Sequence, residues 1–132
     1  MRSPILAFLA AAVSMAPLMP AAAQDGDAEA GRRVFAQCRA CHILDASPRN
    51  NVGPNLGGVW GRRAGAREGF RYSANMTQLG TAGHVWNEEN LRAYLTDPKA
   101  VAPQGSMAFA GIRNPEQLTN LIAYLRANAQ PQ

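Results

Sequence analysis

Cys38-Arg39-Ala40-Cys41-His42 is the stretch on which the reading of this chain turns, and it holds the only two cysteines present. Two cysteines with two residues between them, followed at once by a histidine, form the C-x-x-C-H run that marks covalent attachment of a c-type haem. Each part has a chemical task. The two thiols add across the two vinyl groups, and the next side chain sets an imidazole against the iron as proximal ligand. The histidine separates this use from others. A thioredoxin-like dithiol wants a strand before it in a βαβ setting, and the residues ahead of Cys38 have helical spacing instead. A structural zinc site needs two further ligands beside the cysteine pair, and outside the motif only His84 is left.

The residues around the motif set the frame. The 132 residues, 47% apolar and 17% charged, suit one small globular domain and exclude a disordered tail or a two-domain enzyme. Residues 1–23 read as a signal peptide: Arg2 supplies a positive start, Ile5 to Ala16 an apolar stretch, and Ala21-Ala22-Ala23 a small-residue cleavage site. The apolar stretch is too short for a bilayer span, which needs about 20 residues. The mature chain is then one domain over residues 24–132, exported to the periplasm, with no membrane span. Export makes a cysteine pair a disulfide candidate, but the histidine after Cys41 favours haem.

A haem held by one histidine serves as gas binder, peroxidase or electron carrier according to its second axial ligand. Beyond the signal the chain has two methionines, Met76 and Met107. Met107 lies in Pro103-Gln104-Gly105-Ser106-Met107-Ala108-Phe109, where proline and glycine let backbone lie against a flat macrocycle and point one side chain inward. Met76 follows Tyr72-Ser73-Ala74-Asn75 in what reads as a loop, and packing beside the haem is its simpler use. Met107 too could serve as packing alone, but the haem motif upstream makes it the stronger ligand candidate.

Three helices are legible. Ala28, Val34 and Phe35 form an apolar stripe from about Asp27 to Cys38, with Asp25 or Asp27 as cap. A second follows Asn87, with Glu88 and Glu89 in its first turn and Leu91, Tyr94 and Leu95 on one face, and ends before Asp97-Pro98. The last has Asn114 as cap, Pro115 first, Gln117 completing a capping-box-like pair, then Leu118, Leu121, Ile122 and Leu125 at helical spacing. No strand pattern and no internal repeat is visible. Residues 50–70, rich in glycine and asparagine, read as a long loop wrapping a rigid cofactor.

Together with the haem motif, the ordered set Gly53-Pro54-Asn55-Leu56, Gly61-Arg62-Arg63-Ala64-Gly65, Gly69-Phe70-Arg71-Tyr72-Ser73, Trp86, Tyr94-Leu95, Pro98 and Met107-Ala108-Phe109-Ala110-Gly111 closely resembles class I cytochrome c, in particular the bacterial soluble members similar to the mitochondrial protein. The resemblance covers nearly all of the chain after the signal. It departs between Tyr72 and Trp86, where this chain is a few residues longer. It implies an all-α fold of short helices and loops around one haem c, attached through Cys38 and Cys41 and ligated by His42 and Met107. By the same resemblance Gly31 and Phe35 on the first helix meet Leu121 and Tyr124 on the last. Pro54 is the residue whose carbonyl holds the other ring nitrogen of His42, which fixes the tautomer and raises its donor strength. Arg62, Tyr72 and Trp86 match propionate partners, and Tyr94 the tyrosine near the methionine sulfur. Gly105-Ser106 stands where the family often has Thr-Lys. The family's asparagine near the methionine matches Met76 by spacing, with Asn75 beside it.

The function implied is a periplasmic electron carrier, a monomer that shuttles single electrons and is not an enzyme. Two other classes are a dedicated electron-accepting subunit of a periplasmic dehydrogenase, marked by a stable co-purifying partner, and a haem peroxidase or sensor, which needs an open iron site. Without Arg2, 12 basic residues face 9 acidic ones. Arg62, Arg63, Arg67 and Arg71 crowd one segment, while Asp25, Asp27 and Glu29 crowd the N-terminal end. Such a dipole steers the haem edge toward acidic patches on redox partners, and association then weakens with salt. Burial of Arg62 with a solvated face for the rest is the plainer reading. Nucleic acid is not an expected partner, since no basic helix or stacking pattern is present. Lys99 is the only lysine.

Overall fold

The computed structural model describes residues 25–131, so the signal segment and its boundary at Ala23 lie outside the described residues. Asp27 opens helix α1 (Ala28–Phe35), its carboxylate accepting from the amides of Glu29 at 2.8 Å and Ala30 at 3.2 Å. Glu29 in the first turn and Arg32 and Arg33 in the last complement the helix dipole. A single 3-10 turn, Ala36–Cys38, follows directly and delivers the haem motif. From Arg39 to Ser73 the chain has no helix, only loop, turns, bends and one bridge residue at Arg63, and this span includes residues 50–70, read as a long loop.

Residues 74–81 differ from expectation. The segment read as a loop around Met76 is helix α2 (Ala74–Thr81), started by the Ser73 hydroxyl accepting from the Met76 amide at 3.1 Å. The cap residue is visible in the sequence, but the helix has little apolar periodicity to announce it. Helix α3 (Glu88–Thr96) begins at Asn87 and ends at Asp97, as read. Asp97 then caps a further turn, α4 (Pro98–Val101), which the proline pattern did not reveal. Helix α5 (Pro115–Asn128) starts at Asn114, whose side-chain oxygen accepts from the amides of Glu116 and Gln117. The capping is therefore one-sided: it runs from Asn114 to the helix amides, and no return bond from the Gln117 side chain forms among the described residues.

Helix α1 crosses α5 at close range. A Cβ on Gly31 would lie 2.0 Å from the Asn120 carbonyl oxygen, so only glycine permits this approach. The Phe35 and Tyr124 rings meet at 5.2 Å, and the Asp27 amide donates to Asn120 Oδ1 at 2.8 Å. Leu121 and Ile122, each 1% exposed, form the centre of the core with Phe35. Helix α3 joins this pair through the hydrogen bond from Arg92 to Thr119 and the ion pair of Arg126 with Glu88. Helix α2 packs against loop instead of another helix: Ala64 donates to the His84 carbonyl just beyond it, and Arg63 and Val85 form an isolated antiparallel bridge. The long loop is pinned to the C-terminus by the Trp60 amide on the Ala129 carbonyl at 2.9 Å. No helix among the described residues is long and apolar enough to cross a membrane.

Candidate functional site

The 3-10 turn ending α1 sets the geometry of the motif. The amides of Cys41 and His42 both fold back onto the Cys38 carbonyl, at 3.1 and 2.9 Å, placing the two thiols and the imidazole within one turn. Cys38 and Cys41 are not joined to each other as a disulfide. Cys38 is half-buried, and burial pushes its thiol up to about 11, while Cys41 is exposed. No group of three or more His, Cys, Asp or Glu converges among the described residues, which leaves the zinc alternative without ligands.

His42 is the most constrained member. Its Nδ1 lies 2.8 Å from the Pro54 carbonyl oxygen. A carbonyl can only accept, so Nδ1 carries the proton and Nε2 keeps its lone pair for a metal. The Gly53 backbone comes up against the ring: a Cβ there would lie 2.4 Å from His42 Cε1. Gly53 and Pro54 thus act together, one giving the imidazole room and the other fixing its tautomer. Asn55, 0% exposed, braces the loop behind them by donating to Asp45 and to the Ser47 carbonyl and accepting from the Gly57 amide.

The residues expected to meet propionates occupy adjoining positions. Arg62 is half-buried and spends two nitrogens on the carbonyls of Gly57 (2.9 Å) and Asn55 (3.1 Å). It is therefore not a solvated surface arginine. Burial lowers its pKa below the ordinary arginine value, and a guanidinium remains a fixed cation near neutrality. The Tyr72 hydroxyl accepts from the Arg67 amide at 3.2 Å, which leaves its own proton to donate; burial raises its pKa and keeps that proton in place. Trp86 is buried with its ring against His84 and Tyr94, at 4.8 and 4.9 Å. Arg67, read as part of a basic face, is drawn partly inward by the Ser47 carbonyl at 2.7 Å, while Arg63 and Arg71 are exposed.

Met107 and Tyr94 come together as expected. The Tyr94 hydroxyl lies 3.9 Å from Met107 Sδ, and burial raises its pKa, so it stays a donor. Met76 is buried in the core cluster at 8% exposure, in line with packing. Its neighbour Asn75 reaches the methionine loop, accepting from the Gln104 amide at 3.1 Å. Lys99 donates to the Gly105 carbonyl on the same loop. Sequence reasoning missed the Asn55 brace and both loop contacts. Ser73 as a helix cap was the one signal that could have placed Asn75 on a helix.

An imidazole with a bare Nε2, two thiols a turn away, a thioether under a hydroxyl, and a guanidinium, a phenol and an indole suit iron, two vinyl groups and two carboxylates. The residues present therefore fit a haem.

Comparisons with known proteins agree. The family model for cytochrome c matches residues 28–129. The chain is 45% identical over 101 residues to cytochrome c2 of Agrobacterium tumefaciens (strain II Chrys), covering 76% of this chain and 91% of that protein. It is 44% identical over 115 residues to cytochrome c2 of Blastochloris viridis, covering 86% of each. Among solved structures, cytochrome c2 from Rhodospirillum centenum superposes with a TM-score of 0.72 at 36% identity, over 79% of this chain and 99% of that one.

Proposed function

The chain belongs to the cytochrome c family, and on that footing we propose that it is a periplasmic carrier passing single electrons between redox proteins through a haem closed on both faces by His42 and Met107. Haem c is held covalently through Cys38 and Cys41. The haem supplies an iron that alternates between ferric and ferrous states. This chain's residues hold that iron, shield it and set its potential; no substrate is turned over, and the protein is not an enzyme.

The observation that carries the reading is the Tyr94 hydroxyl 3.9 Å from Met107 Sδ. A neutral sulfur donor favours the reduced state, and a hydroxyl donating to it draws electron density further from the metal. On the other side, the Pro54 carbonyl 2.8 Å from His42 Nδ1 pushes electron density toward Nε2. Arg62, Tyr72 and Trp86 stabilise the propionates as ion pair and hydrogen bonds, since buried carboxylates need donors. His42 and Met107 would together hold the iron and leave no position on it open to small ligands. Export by residues 1–23 places the carrier in the periplasm, where partners with acidic patches meet its arginines. The protein acts as a monomer.

The test is the near-infrared band of methionine sulfur on ferric iron, compared with Met107→Ala. The band is expected in the parent and absent in the variant, whose ferrous form then binds carbon monoxide. A parent band that survives the substitution makes Met76 the ligand. A parent without the band, binding carbon monoxide under native conditions, overturns the carrier reading in favour of an open iron.

A further inference from the structure

The segment carrying Met107 is poorly held by its own backbone. Gly105 donates to the Ala102 carbonyl at 2.9 Å, and the next backbone tie is from Ile112 to the Leu95 carbonyl at 2.8 Å. Between them, residues 106–111 make no backbone–backbone hydrogen bond among the described residues. Met107 therefore sits on a span fixed at two ends, and its precision depends on how firmly the nearer end is held. Two side chains reach that end. Lys99 donates to the Gly105 carbonyl, but it is an exposed, long side chain with much rotamer freedom. Asn75 is short, half-buried and rooted in the first turn of α2, whose start is locked by the Ser73 cap; its Oδ1 accepts from the Gln104 amide at 3.1 Å. This contact joins residues 29 apart in sequence, across two separate parts of the fold.

We propose that Asn75 is a positioning residue for Met107: its side-chain oxygen clips the Gln104 amide and so pins the near end of the ligand loop to helix α2. The inference rests on the reading of Met107 as axial ligand. It assigns α2 a function beyond packing. Met76 fills the core on the inner side, and Asn75 beside it holds the loop.

Asn75→Ala removes the acceptor, and Asn75→Asp keeps an oxygen in the same place at a helix position where a carboxylate is favourable. In haem-loaded protein two quantities are read: amide exchange at Gln104, and the pH at which the methionine-to-iron band is lost on raising pH. The alanine variant should exchange Gln104 faster and lose the band at lower pH. The loop-detached population should rise about threefold to tenfold, the size a single hydrogen bond supplies. The aspartate variant should restore both. An alanine variant matching a parent that shows the band, or an aspartate variant as impaired as alanine, overturns this inference alone. A parent lacking the band overturns the Met107 reading and this inference with it.

Discussion

Asn55 shows how much of the site rests on side chains that touch no metal. It is fully buried, and its amide is satisfied by Asp45 Oδ1 at 2.9 Å and the Ser47 carbonyl at 3.0 Å. Asp45 in turn accepts from the Ser47 hydroxyl at 2.6 Å and the Ser47 amide at 2.9 Å. These bonds, with the Ser47 hydroxyl contributing most, hold the Asp45 carboxyl at about 2 against an ordinary 3.8. A carboxyl whose folded value lies below its unfolded one stabilises the fold fully above the unfolded value, and loses that contribution as pH falls through the folded one. Asp45→Asn should therefore lower the denaturant midpoint near neutral pH, and the gap to the parent should close as pH falls from about 4 to about 2. A gap that stays constant across that range would show that the brace does not depend on the charge. The sequence exposed Asn55 only as part of Gly53-Pro54-Asn55-Leu56. Its partners at positions 45 and 47 become neighbours only when the loop closes, so no local spacing could pair them.

Among the helices, legibility followed the strength of local signals. Helices α1, α3 and α5 each carry an Asp or Asn cap, acids in the first turn and an apolar stripe, and all three were readable with nearly their observed bounds. Helix α2 has a cap but includes Thr77, Gly80 and Thr81, poor helix formers, and buries only Met76 and Gly80; tertiary ties hold it, and those leave no periodic trace. Helix α4 is one turn long and below the reach of any periodic signal. The α1–α5 crossing allows a decisive test because two effects oppose each other. Gly31→Ala would gain up to about 1 kcal/mol of helix propensity. The added carbon, however, would lie 2.0 Å from the Asn120 carbonyl oxygen, which is backbone and cannot swing away. Overpacking of this kind costs about 1–3 kcal/mol, so the variant should unfold at lower denaturant than the parent. An equal or higher midpoint would mean that the two helices separate without penalty.

The way the helices combine leads to the expectation that the fold depends on its prosthetic group. Helix α1 packs on α5, and α3 packs on α5 and on the short α4, but among the described residues α2 has no helical partner and residues 39–73 contain no helix. Many apolar side chains outside the central core, among them Leu44, Leu56, Trp60, Leu95, Met107 and Phe109, are only partly buried by protein. Isolated helices shorter than about 12 residues are marginal in water, and α1, α2 and α3 have 8, 8 and 9 residues. A domain of this size has little area to spare for stability. A rigid apolar plate joined through Cys38 and Cys41 would bury apolar surface of this kind and tie α1 to the loops at once. A Cys38→Ser, Cys41→Ser chain, which cannot form the thioether links, should therefore show reduced far-ultraviolet helical signal, little near-ultraviolet signal and no sharp thermal transition. The α1–α5 pair is the part with enough packing of its own to persist, so any residual protection from amide exchange should concentrate at Phe35, Leu121 and Ile122. A cooperative melt with the helix content of the haem-loaded protein would show that side-chain packing suffices, and would move the source of stability from the cofactor to the chain.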